Sequence, residues 1–491
     1  MATGEQYVRL AINFALIVSV SRLLTPTEIG VSVIGVGIIT IVLGLREFAT
    51  ADFLIRRKEI RREDLRTSFT VLFLLTALLC SVVFALAPWF GSLYGEEQLA
   101  QFLRIATFAG LIEALSAPIT GLLRRDMAFG KLAFINTTSV AVNAATTVLL
   151  ALAGFSYMSF AFAMVAASST ITLLSFHFRP DLSILWPEFK SWRSVLTFGG
   201  YNGVSHVINR IYESLPQLVL GQFLPHSAVG LYNRANVVSD IPDRVILTGV
   251  SLVAFPAFSV QVRQGNGLKK PLLQAFAYIT VLYWPAQILL VLLAHPIVSL
   301  VLGQQWVSVV PLLQVMAIAS LAWFPVLLAS PVLLAVGAIR DRMLADLTGR
   351  SVSAVILCSA AGFGIMAMAA SKLLTVPFQM TVALAFLRRH VAFGWGQLGA
   401  ALWKSAVVTF ISATGPVCIL VLSEFDFDLS IAASVATLFL ALAGWVFGVV
   451  VTRHPILLEI GKAAETVLNL RLPNLMRDGS AAHSQRPGEA E

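Results

Sequence analysis

Cysteine is almost absent from this chain of 491 residues, which has only Cys80, Cys358 and Cys418. All three fall inside apolar runs with no paired spacing. That excludes a disulfide framework, a thiolate metal site and a redox couple, and leaves them as small packing residues. Charge is also scarce, at 12% of residues against 57% apolar. No Walker A sequence, no HExxH and no His/Cys cluster occurs, so neither a nucleotide-driven pump nor a metalloenzyme is encoded, and no cofactor is expected. The clustered acids and histidines of an intramembrane active site are missing as well, which argues for a non-enzyme. The first apolar segment carries Arg9 and Arg22 and lacks a charged region followed by a small-residue cleavage site. It is therefore expected to stay as a helix.

The most informative absence is positional. Fourteen apolar runs are each long enough to cross a hydrocarbon core of about 30 Å. They lie near residues 5–24, 29–55, 67–90, 102–123, 132–153, 159–176, 195–220, 229–258, 272–302, 307–337, 345–362, 368–387, 405–422 and 431–452. The seven outward segments between them, 25–28, 91–101, 154–158, 221–228, 303–306, 363–367 and 423–430, hold no Lys or Arg. The six inward loops, 56–66, 124–131, 177–193, 259–271, 338–350 and 388–404, together with the C-terminal tail hold 26 of the 34. Cytoplasmic loops retain Lys and Arg, so the alternation predicts an even number of spans with both termini in the cytoplasm. It also accounts for the pI of about 9.6, so nucleic-acid binding is discounted. The runs lack the alternation of barrel strands, and the expectation is an all-α polytopic membrane protein. In the tail, Ile456, Ile460, Val467 and Leu470 recur at helical spacing, as in an interfacial helix, before a polar end expected to be disordered.

An internal repeat organises these spans. Leu24, Ile29 and Gly30 fall on Leu224, Val229 and Gly230 at an offset of 200, and Pro88 and Gly95 fall on Pro296 and Gly303 at 208. Six spans separate the copies, an even number, so both point the same way and are related by a pseudo-two-fold along the membrane normal. The expected architecture is two six-helix lobes, residues 1–176 and 195–390, joined by a connector at 177–194. Two further helices in 391–452 and a tail at 453–491 follow.

Eight cations remain inside the spans. Arg9, Arg22, Arg104 and Lys372 lie near helix ends, where long side chains can snorkel. Arg46, Arg210, Arg234 and Arg244 lie deeper, where insertion costs roughly 2.5–3.5 kcal/mol each and a protein or water environment is required. Asn202, His206, Arg210, Glu213 and Gln217 recur at intervals of four, four, three and four, making one polar stripe that must face a cavity or a neighbouring helix. Arg210 with Glu213, and Asp240 with Arg244, are spaced to neutralise each other. Arg234 has no acid three or four positions away and is the better anion-site candidate. Asp52, Glu113, Asp243 and Asp346 are acids at depth that could couple to an ion or serve as counter-ions to the arginines. Asn136, Ser139, Asn143 and Thr147 read as interhelical glue. Pro216 and Pro242 interrupt spans that could bend around a cavity.

The stretch Leu23 to Gly30 (LLTPTEIG), Ala51 to Arg57 (ADFLIRR), Arg124 to Lys131 (RRDMAFGK), Leu220 to Arg234 (LGQFLPHSAVGLYNR), Ile241-Pro242 and Phe255 to Ser259 (FPAFS) resembles the bacterial polysaccharide flippases of the multidrug/oligosaccharidyl-lipid/polysaccharide exporter superfamily. The likeness runs over about residues 10–390. It implies export of an undecaprenyl-diphosphate-linked oligosaccharide across the bacterial inner membrane by alternating access, with Arg46, Arg210, Arg234 and Arg244 receiving the diphosphate and anionic sugars. Expected partners are that substrate, membrane lipids, a polymerase and glycosyltransferases, and a monomer is the default. Moving negative charge outward gains about 2.3 kcal/mol per elementary charge per 100 mV, which favours a diphosphate over a cationic drug. Two alternatives stay open at this point: a cation-coupled multidrug exporter on the same scaffold, and a non-transporting scaffold for glycan assembly.

Overall fold

The computed structural model describes residues 2–46, 62–189, 200–424, 427–459 and 461. The first half contains α1 (Ala2–Leu23), α2 (Pro26–Gly44), α3 (Arg62–Tyr94), α4 (Glu97–Arg125), α5 (Phe129–Leu152) and α6 (Met158–Phe178). A short 3-10 turn, Leu182–Leu185, follows. The second half has α7 (Gly200–Phe223), α8 (His226–Ser239), a π-helical segment Asp243–Leu247, α9 (Thr248–Arg263), α10 (Lys269–Leu292) and α11 (Ala294–Val301). After the 3-10 turn Gln304–Val309 come α12 (Val310–Ser320), α13 (Phe324–Ala335), α14 (Ile339–Ala361) and α15 (Ile365–His390). The chain then forms α16 (Trp395–Leu422) and α17 (Ile431–Val451). Among the described residues there is no strand.

Ten of these helices are long and apolar enough to cross a membrane, or eleven if the bent pair α12–α13 counts as one span. Fourteen were expected. The difference lies in α1 and α7, whose composition is too polar, and in α8 and α9, which are individually too short at 14 and 16 residues. The break between α8 and α9 follows from Pro242, which has no N–H to donate and displaces the helical ladder into a π segment. Helices also run further than the hydropathy runs. The segment 338–350, expected as an inward loop, is the first half of α14, and 91–101 shrinks to a two-residue link at Gly95 and Glu96.

Helix starts and stops follow the local chemistry. Thr25 and Glu28 form a reciprocal capping box at the start of α2, with Pro26 at the first turn, satisfying orphan N–H groups. Gly95 closes α3 at φ +66° and its repeat-related counterpart Gly303 follows α11 at φ +105°, both in the left-handed region that a side chain would strain. The α5–α6 and α14–α15 hairpins carry similar ionic clasps at their open ends: Arg179 to Asp126 in one, Arg389 and His390 to Asp341 in the other.

Packing within each half is extensive, as between α3 and α4, α4 and α6, α12 and α15, and α9 and α13. Across the halves, α2 lies against α7 and α8. The largest buried cluster draws on both halves, from Val20, Ile34 and Phe102 to Tyr232, Trp306 and Met316. The last two helices pack closely on each other and α16 also lies along α10. Ser139 of α5 donates to the Ala167 carbonyl of α6 at 3.1 Å, the gluing role expected of that face.

Candidate functional site

Four elements, α2, α6, α7 and α8, line an open cavity of about 270 Å³ between the halves. Its lining includes Ser32, Thr40, Phe160, Glu213, Gln217 and Arg234. Arg234 is 6% exposed, and among the described residues no hydrogen bond or ion pair holds its guanidinium, whose Nε finds no partner there. Its partner among the described residues is the indole of Trp306, 5.7 Å from ring centroid to guanidinium carbon. Trp306 is fully buried and donates its own N–H to the Ser21 carbonyl at 2.7 Å. The sequence singled out Arg234 for its lack of an acid along the helix, and the fold supplies none from other elements among the described residues.

One end of this cavity is shut. Gly30 of α2 and Gly230 of α8 meet so closely that a Cβ on Gly30 would sit 1.8 Å from the His226 carbonyl oxygen, and one on Gly230 2.0 Å from that of Pro26. Side chains of the second half clasp the end of α1. Gln305 donates to the carbonyls of Ser21 at 2.6 Å and Leu24 at 3.2 Å, while Arg22 donates to that of Leu300 at 2.5 Å. Arg22 therefore makes an inter-half bond instead of snorkelling. Arg234, one turn past Gly230, lies just beneath this seal.

The other candidate cations are engaged differently. Arg46 pairs with Glu113 at 2.7 Å, which joins a proposed anion receptor to a proposed coupling acid and ties the end of α2 to α4. Arg210 and Glu213 form a half-exposed pair at 3.5 Å, and the stem of Arg210 packs over Gly44. Arg244 is exposed beside a mostly apolar gap between α1 and α8, lined by Tyr7, Phe14, Ile17 and Ile241. Asp346 lines a small 40 Å³ hollow with Arg342, Arg350 and Gln379. Asp52 lies outside the described residues, as do the side chains of Asn202 and His206.

Lys372 departs most from expectation. Its ammonium does not reach an interface; it donates to Asn236 Oδ1 and lies over the Tyr232 ring at 5.8 Å. Asn236 in turn donates to Asp240 at 3.0 Å. Nearby, Asp243 is hydrogen-bonded to Tyr283, whose hydroxyl accepts from Gln287 at 2.9 Å, while Asp243 Oδ1 is buried without a partner. Charge inside an apolar span has to face protein, and here the second half supplies that protein at the α8 break. Arg350 was also missed. As part of α14 its guanidinium stacks on Tyr212 of α7 at 5.3 Å. The signal for both was present: Lys372 interrupts an apolar run, and Arg342, Asp346 and Arg350 are spaced four apart on one helical face.

The profile of one family, described as polysaccharide biosynthesis protein, matches residues 19–311. The chain belongs to that family. Its relatives include the lipopolysaccharide biosynthesis protein WzxC of Escherichia coli K12, 25% identical over 306 residues, 61% of this chain and 62% of that protein. The succinoglycan biosynthesis transport protein ExoT of Rhizobium meliloti is 26% identical over 312 residues, covering 63% and 62%. The chain thus spans about three fifths of the length of these curated relatives. In fold, this polysaccharide biosynthesis family member is similar to the lipid II flippase MurJ in its inward closed conformation, at a TM-score of 0.74 over 92% of this chain and 98% of that one, with 13% identity. It is also similar to an inward-facing multidrug resistance MATE family transporter, at 0.61 over 81% and 98%, with 14% identity. The protein is a multi-pass helical membrane protein.

Proposed function

We propose that the protein is a flippase exporting an undecaprenyl-diphosphate-linked oligosaccharide repeat unit across the bacterial inner membrane, for exopolysaccharide, capsule or O-antigen synthesis. Arg234 carries this reading. A buried guanidinium without a counter-ion is costly, and an anion that completes it recovers that cost. A diphosphate offers oxygens that match the guanidinium fork. A cationic drug would meet the wrong sign there, which sets the multidrug reading second.

In this reading the lobes 1–176 and 195–390 part at the Gly30–Gly230 seal to release cargo outward, while α2, α7 and α8 form the walls of the path. Arg210, relieved of Glu213, joins Arg234 on the headgroup, and Arg244 stands at the lateral gap where a prenyl chain can trail into lipid. The Arg46–Glu113 pair holds α2 to α4. Asp243, with one oxygen unpartnered, is the first choice for exchanging a coupling proton, ahead of Asp346 and Asp52. Both termini lie in the cytoplasm, following the basic loops, and the protein works as a monomer between glycosyltransferases and a polymerase.

Conditional deletion, with lipid-linked repeat units quantified on each leaflet, tests the reading. Units accumulate on the cytoplasmic side, wild-type chain clears them, and R234A expressed at normal level does not. R234K restores part of the flux. A deletion that leaves the units evenly distributed, or R234E with intact export, overturns it.

A further inference from the structure

A second cavity, remote from the path between the halves, lies where α10 and α16 begin. Its volume is about 590 Å³, and its lining is largely apolar, with Leu273, Ala277, Ala400, Ala401 and Pro455 on its walls. Lys269, Lys270 and Lys404 stand around it, and its lining contains no acidic side chain. Both helices present their N-terminal ends here, which adds positive potential to that of the lysines. Lys404 spends one of its three N–H donors on the Arg453 carbonyl at 3.0 Å, leaving two for a ligand. Lys269 and Lys270 are exposed. Basic pockets between transmembrane helices on the cytoplasmic side suit anionic headgroups, and an apolar floor beneath suits an acyl chain.

We propose that this groove is a binding site for an anionic phospholipid of the inner leaflet, with the phosphate held by Lys269, Lys270 and Lys404 and an acyl chain laid between α10 and α16. The chemistry required is a phosphodiester bearing fatty chains. The groove lies on the face that the basic loops assign to the cytoplasm and is separate from Arg234, so lipid binding here is independent of cargo binding there. Its occupant fastens α16 and α17 to the second lobe.

Native mass spectrometry of the full chain in detergent, titrated with phosphatidylglycerol, cardiolipin or phosphatidylethanolamine, tests this. Wild-type chain retains the anionic lipids over phosphatidylethanolamine. The exposed double variant K269Q/K270Q loses roughly tenfold or more of that preference, and A400W, which fills the groove without changing charge, loses retention of the same lipids. Melting temperatures near wild type confirm folding in both variants. Equal retention of all three lipids by wild-type chain, unchanged retention in both variants, or displacement of the lipid by a prenyl diphosphate at equal concentration overturns the proposal. R234A, which disables the proposed cargo site, leaves phosphatidylglycerol retention unchanged.

Discussion

Gly30 and Gly230, 200 residues apart, lie back to back where the chain's two halves meet, each so close to the opposite helix that a Cβ of its own would overlap the main-chain carbonyl four residues before the other glycine. The contact is reciprocal. Gly30 faces the His226 carbonyl and Gly230 faces the Pro26 carbonyl, and these residues are themselves 200 positions apart. Such exchange is what a two-fold axis between repeated helices produces at the point where the axis is crossed. Backbone at this distance leaves no room for a methyl group, because the atoms in the way are main-chain oxygens and not a side chain that could rotate. Alanine at either position must therefore push α2 from α8, at a cost of about 1–3 kcal/mol to the sealed state. The expected outcome for G30A or G230A is a protein that folds but opens outward more often. A T40C probe in the cavity then reacts faster with a membrane-impermeant thiol reagent added from outside. Unchanged labelling in both variants would show that the seal does not depend on this contact.

Trp306 links the seal to the cavity, since its N–H holds the end of α1 and its ring faces Arg234. An anion that draws the guanidinium away removes a cation–π contact of roughly 0.5–2 kcal/mol from the residue that clasps Ser21. Two substitutions separate these roles. W306F keeps the ring face and loses the N–H bond, worth about 1 kcal/mol, and W306L loses both. Labelling of T40C from outside is expected to rise in the order wild type, W306F, W306L, while expression stays comparable. If W306L labels no faster than wild type, the indole is only filling space.

How much of this was legible in the sequence depends on range. Gly30 and Gly230 were visible as a repeat, and their contact follows from symmetry. Arg234 stood out because its helical neighbours offer no acid, a local property. Arg46 with Glu113, 67 residues apart, could not be paired from sequence, because that pairing is set by how α2 meets α4. The same holds for Lys372, whose distance from a hydropathy boundary suggested an interface when its partner Asn236 lies on another helix 136 positions earlier. Loop assignments failed where helix continues beyond the apolar run, as at 339–350, since hydropathy marks the bilayer's edge and not the helix's end.

Lys372 supplies a stability test. Its charge is balanced through the Asn236 amide by Asp240, and removing one of two buried opposite charges strands the other, at a cost of up to about 3–5 kcal/mol. K372M is therefore expected to melt well below wild type. The double variant K372M/D240N removes both charges and recovers most of the loss, a coupling that a snorkelling lysine would not show. Thermal melts of the four proteins in one detergent check this; additive losses would mean that the two groups do not interact.

Just past the C-terminal end of α17 lies a histidine that its surroundings hold neutral. His454 is 1% exposed, and burial, followed by the nearby Lys404 charge, lowers its imidazole from 6.5 to about 4. The hydrogen bonds agree with that direction. Nδ1 accepts the Ile456 N–H at 3.2 Å, and Nε2 lies 3.3 Å from Ser405 Oγ, so a second proton on the ring would face a donor. Well above pH 7 the ring is neutral folded or unfolded and contributes no pH dependence. Between about 6.5 and 4 the unfolded ring binds a proton that the folded one refuses, so stability falls as pH falls, by roughly 3 kcal/mol at most, and levels below 4. Hydrogen exchange of the 456–458 backbone, corrected for intrinsic rate, should accelerate from pH 7 to pH 5 in wild type and not in H454N, whose side chain can accept from the same N–H without titrating. Equal acceleration in both would place the sensitivity on another group.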